Sequence, residues 1–167
     1  EARDYVDAFA GPYFSAMAAR REALRIGATG AQLDDAIRSR LPREMFNIKL
    51  NAGHLTHLEE WMSSPVGPDS PIHLHSGMLF QSDVIPGSKR YYSARLEDTY
   101  ALASPELQRQ LAAEFPECRA RCETRRAFMR NVLGLPVSDD VLPLSNLAGI
   151  APPYLLRPEL VLAVDRD

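Results

Sequence analysis

The stretch from Asn51 to Thr99 restricts the fold most, because turn-forming residues cut it into short extended segments. Ser63, Ser64, Pro65, Gly67, Pro68, Asp69, Ser70 and Pro71 make Met62 to Pro71 a loop. Gly77 marks a turn, and Pro86-Gly87-Ser88-Lys89 reads as a hairpin connection. The pieces between these breaks then read as strands. They are Phe46 to Leu50, an extended run from Gly53 to Glu60, a short piece from Ile72 to His75, Met78 to Pro86, and Tyr91 to Leu96. Tyr100 to Ala103 is expected to add an edge strand.

Helical patterns flank this core. Residues 1 to 26 carry a helix-spaced apolar stripe through Phe14, Met17, Ala18 and Leu24, interrupted at Gly11-Pro12. Arg20, Arg21 and Glu22 read as its solvated side, and Gly27 as its stop. Thr29 with Gln32 forms a capping-box pattern, so a second helix is expected from Gly30 to Arg40, ended by Pro42. Ser104-Pro105 opens another helix, and Pro116 starts one that runs to Leu133. The proline-rich tail from Val137 is expected to lie over the surface and to end in a strand-like Leu160 to Val164. The pattern predicts an α+β protein: an antiparallel sheet covered by helices over 1–103, with a helical and proline-rich extension over 104–167 packed on the same domain.

The totals narrow the classes of function. A chain of 167 residues with a net charge of −3 lacks the basic excess of a nucleic-acid binder. No apolar run approaches a membrane span, and no signal-peptide pattern opens the chain, so a cytoplasmic location is expected. Cys118 and Cys122, four apart in a helical pattern, read as ordinary thiols sharing one helix face. The first residue is Glu1 rather than methionine, which makes a processed product or a fragment the expectation.

Three residues of the central stretch are of metal-binding type. His54 follows a glycine at the start of a strand, Asp83 ends an apolar run that should be buried, and Glu97 sits at a strand end in Leu-Glu-Asp-Thr. A buried carboxylate needs a partner, whether an arginine or a metal. His73 and His75 would share a strand face but have no third ligand in view.

The order of these motifs resembles a known family. Gly53-His54, a loop ended by proline, Ser-Gly-Met-Leu-Phe-Gln-Ser-Asp from Ser76 to Asp83, and Leu-Glu-Asp-Thr from Leu96 to Thr99 together look like the C-terminal half of the pita-bread metallopeptidases. These include methionine aminopeptidase, aminopeptidase P, prolidase and creatinase. Arg-Ile-Gly-Ala-Thr-Gly-Ala-Gln-Leu, from Arg25 to Leu33, is similar to the family's preceding helix pair. The resemblance covers residues 12 to 103. It implies a partial pita-bread fold and places His54, Asp83 and Glu97 at three of five metal-ligand positions, for manganese, cobalt, iron or zinc. It implies a peptide or small amide substrate attacked by metal-activated water, with no nucleic-acid or membrane partner.

Departures from the family pattern accompany it. Asp83 stands where the family usually has glutamate, and Trp61 where it has its substrate-handling histidine. The two aspartate ligands belong to strands before the helix pair, and neither Asp4 and Asp7 nor Asp34 and Asp35 replace them. The expectations are therefore a metallopeptidase-like protein incomplete or inactive as this chain, or a non-catalytic module that binds a peptide or protein partner. Open strand edges imply a homodimer or association with a missing N-terminal half.

Overall fold

The computed structural model describes residues 2–49, 51–56, 64–91 and 94–165. It is an α+β protein built on one four-stranded antiparallel sheet in the order β1-β2-β3-β4. The strands are β1 His54–Leu55, β2 Leu79–Asp83, β3 Glu97–Leu102 and β4 Val141–Pro143. The helices are α1 Ala2–Tyr5, continued by a π-helical turn Val6–Ala10, α2 Gly11–Ala23, α3 Gly30–Arg38, α4 Arg43–Phe46, α5 Pro105–Glu114 and α6 Pro116–Asn131.

Local chemistry explains where several helices start. Thr29 and Gln32 close a full capping box at α3: Thr29 Oγ1 accepts from the Gln32 amide, and Gln32 Oε1 accepts from the Thr29 amide at 2.8 Å. Pro12 occupies the first turn of α2, directly after the π-helical turn, where the backbone hydrogen-bond pattern changes. Ser104 caps α5 by accepting from the Leu107 amide.

Helix α2 lies against one face of the sheet. Phe9, Tyr13, Phe14 and Met17 pack with Phe80, Tyr100 and Leu102 in the main core. The Tyr13 hydroxyl ties helix to sheet, donating to the Val84 carbonyl at 2.9 Å and accepting from the Leu96 amide at 2.9 Å. Phe46 is buried and stacks on Phe9 at 5.1 Å, which docks α4 onto the same core.

Five expectations are corrected. Arg20 and Arg21 are fully buried, because they fall on the α2 face that meets the sheet, and Asp98 and Tyr100 on β3 receive Arg21. Phe46 to Lys49 is no strand: α4 carries Phe46 into the core, and Asn47 turns the chain with φ +26°. Tyr91 and Ala94 to Leu96 are irregular; the strand begins at Glu97, so Glu97 opens β3 rather than ending a strand before it. With β4 beyond it, β3 is an inner strand and not an edge. Leu160 to Val164 forms no strand, and the extension after residue 103 instead supplies β4 to the sheet.

Candidate functional site

The register of β1, β2 and β3 decides what the candidate ligands can do. His54 pairs with Gln81, and Gln81 pairs with Thr99. Two residues along, Asp83 pairs directly with Glu97. Directly opposed residues point to the same side of a sheet, as do residues two apart on one strand. His54, Gln81, Asp83, Glu97 and Thr99 therefore share one face. Phe80, Ser82, Asp98 and Tyr100 point the other way, into the core beneath α2.

Alternation gives the neighbours Glu97 and Asp98 different roles. Asp98 is buried, and its Oδ2 accepts from Arg21 Nη2 at 2.7 Å, from the Tyr100 hydroxyl at 2.9 Å and from the Gly149 amide at 3.0 Å. It is a structural anchor. Asp98 and Tyr100 together hold Arg21 above the usual guanidinium range despite its burial, and burial raises the Tyr100 phenol. Glu97, exposed, lies on the opposite face beside Asp83.

Asp83 is 9% exposed, and its Oδ1 has no hydrogen-bond partner. No ion pair among the described residues includes Asp83 or Glu97. Like charges placed directly opposite on neighbouring strands destabilise a sheet. This pair therefore has the chemistry to receive a cation. His54 is 8% exposed. Its Nδ1–H donates to the Leu55 carbonyl at 2.9 Å, a backbone contact of the kind that orients an imidazole ring.

His54 does not close on the pair. It lies one strand and one diagonal from Asp83, and two strands from Glu97. A diagonal step separates side-chain origins by roughly 7–8 Å. Between them Thr99 Oγ1 donates to Gln81 Oε1 at 2.6 Å. Among the described residues no three His, Cys, Asp or Glu side chains come close enough together to hold a metal ion. Asp83 and Glu97 are thus paired carboxylates on one face, with His54 on the same face but short of a preformed three-ligand site.

Gly53 and Arg20 set the entry to β1. Arg20 Nε donates to the Ala52 carbonyl at 2.6 Å. Gly53 has φ +117°, and a Cβ there would run into Arg20 Nη2 and stand 2.7 Å from the Gln81 carbonyl. Only glycine suits this conformation and this space. Arg20 Nη1 and Nη2 have no partners, and burial pulls its guanidinium down to about 10, which still leaves it charged at neutral pH.

Sequence reasoning missed Gln81 and Thr99, which fill the face between the candidate ligands, and it missed Arg20 behind Gly53. The period-two alternation of β2 and β3 was the signal for the first two. Trp61, together with His57, Glu59 and Glu60, lies outside the described residues. His73 and His75 stay apart from the site: His73 Nδ1–H donates to the Gly27 carbonyl, and His75 Nδ1–H to the Ser76 carbonyl.

No family model, no curated protein and no solved structure matches the sequence. Among the described residues no helix is long and apolar enough to cross a membrane.

Proposed function

We propose that this chain carries part of a metallopeptidase-like site, related to those of Xaa-Pro aminopeptidases and prolidases on a pita-bread scaffold. The observation that carries this reading is the Asp83–Glu97 pair. Two carboxylates face one another across β2 and β3, one has a buried orphan oxygen, and no cation among the described residues forms an ion pair with them. Asp83 and Glu97 would hold a divalent metal, with His54 Nε2 as the next donor along the same face. Such a metal supplies a water of lowered pKa and polarises an amide carbonyl. Gly53 lets β1 approach the Gln81 backbone, and the Leu55 carbonyl orients the His54 ring. The two aspartates that complete the family's ligand set are matched by no residue of this sequence.

A second reading is a non-catalytic module that uses the same face to bind a peptide. The side chain of Asp83, one methylene shorter than the family's glutamate, favours it. Metal analysis of the purified protein, with assays on Xaa-Pro peptides, separates the two. Bound divalent metal with amide hydrolysis supports the first reading. Tight peptide binding by metal-free protein, with no hydrolysis under any of the four metals, supports the second and overturns the first.

A further inference from the structure

Away from the sheet face, an open cleft of about 790 Å³ lies between α4 and the turn that follows β2. Arg43, Lys49, Lys89, Arg90 and Arg95 line it, and Glu44 is the one acid among its described lining residues. The chain as a whole has 22 acids against 19 Lys and Arg. A basic cleft is therefore a local concentration of charge against the average of the molecule.

Only one of these cations is neutralised. Arg90 Nη2 lies 2.8 Å from Asp4 Oδ2, and the Tyr91 hydroxyl donates to the same oxygen at 2.7 Å. Arg43, Lys49, Lys89 and Arg95 take part in no ion pair among the described residues. Setting Glu44 against these four leaves an excess of three positive charges. Clefts lined by one sign of charge focus the field and raise the local concentration of the opposite sign.

The frame that carries the charges is anchored. The Gly87 amide donates to the Phe46 carbonyl at 2.7 Å, and Phe46 is buried against Phe9. The Lys49 amide donates to the Ile85 carbonyl at 3.4 Å. Between those two latches Asn47 holds φ +26°, a value that side-chain-bearing residues rarely adopt. Strained backbone of this kind persists where its surroundings over-determine it, and it collects at ligand sites. The cleft wall also has apolar parts in Met45, Ile85 and Pro86, beside the Tyr91 ring.

We infer that this cleft binds an acidic peptide segment, its carboxylates meeting Arg43, Lys49 and Lys89 and its backbone lying along the apolar wall. A planar guanidinium takes a carboxylate in two parallel hydrogen bonds, and the lysines act as point charges beside it. The mixed lining suits a peptide better than a free inorganic anion, which would leave Met45, Ile85 and Pro86 uncovered. The inference stands on the cleft alone and holds whether or not Asp83 and Glu97 bind metal.

The test is fluorescence anisotropy with a labelled Glu-rich hexapeptide, a Gly-Ser hexapeptide and a single-stranded oligonucleotide of similar length. The expected result is saturable binding of the Glu-rich peptide alone, weakening as salt rises. Lys49→Glu combined with Lys89→Glu should reduce affinity at least about tenfold, while Arg109→Glu on α5 leaves it unchanged. Circular dichroism checks that each variant is folded, and Arg43→Gln serves as a milder variant if the double reversal unfolds. No binding of the Glu-rich peptide, equal loss in Arg109→Glu, or tighter binding of the oligonucleotide would each overturn the inference.

Discussion

Two adjacent acids, Glu97 and Asp98, divide structure from chemistry at a single step of strand. Asp98 is the counter-charge of a fully buried arginine, with side-chain exposures of 1% for Arg21 and 5% for Asp98. Removing one partner of such a pair leaves an uncompensated buried charge. Asp98→Ala should therefore lower the unfolding free energy by about 3–5 kcal/mol in chemical denaturation. Glu97→Ala, at an exposed position without an ion pair, should change it by less than about 0.5 kcal/mol. Near-equal effects of the two substitutions would contradict the division. The sequence pointed to Asp83 as buried and to both acids as neighbours in a motif, but not to their opposite faces. That required knowing that β3 starts at Glu97. Arg20 and Arg21 were illegible for a related reason. A pair of charged residues on a helix reads as solvated unless the buried acceptors, here Asp98, Tyr100 and the Ala52 carbonyl, are already known.

Elements with strong local signals were the legible ones. The capping box at Thr29, the Ser104-Pro105 start and the Pro116 start are chemistry of four or five consecutive residues, and the structure has all three helices. Strands β3 and β4 depend on partners far along the chain. Val141–Pro143 is three residues long and pairs with Tyr100 to Leu102, so nothing local announces it. Helix α6 closes over that strand. Cys122 is fully buried and packs in a small cluster with Ala103 and Leu142, with Cys118 at its edge. Burial, followed by the Cys118 sulfur beside it, pushes the Cys122 thiol up from its usual value. A raised thiol pKa means less thiolate at any given pH, and the thiolate is the reactive form. Native protein at mildly alkaline pH should therefore alkylate at Cys118 well before Cys122, as read by mass spectrometry of peptides. Equal labelling of both sites in folded protein would contradict the packing of α6 on β4.

At the scale of the whole molecule, the sheet separates two worlds. One face is closed by α2 around the Arg21–Asp98–Tyr100 cluster, and the other carries His54, Gln81, Asp83, Glu97 and Thr99. The motif order in the sequence made the second face legible as a set of candidate ligands. It could not give their spacing, because His54 and Glu97 are separated by the whole of β2, and strand order is a property of the folded chain. On the proposed reading, the Asp83–Glu97 pair receives a divalent cation. The decisive experiment is calorimetric titration of manganese and zinc into the purified protein, alongside Asp83→Asn and Glu97→Gln. Saturable binding by the unaltered protein, lost in both variants while their circular dichroism is unchanged, is the expected result. Binding of equal strength in all three proteins, or no binding in any, would contradict it.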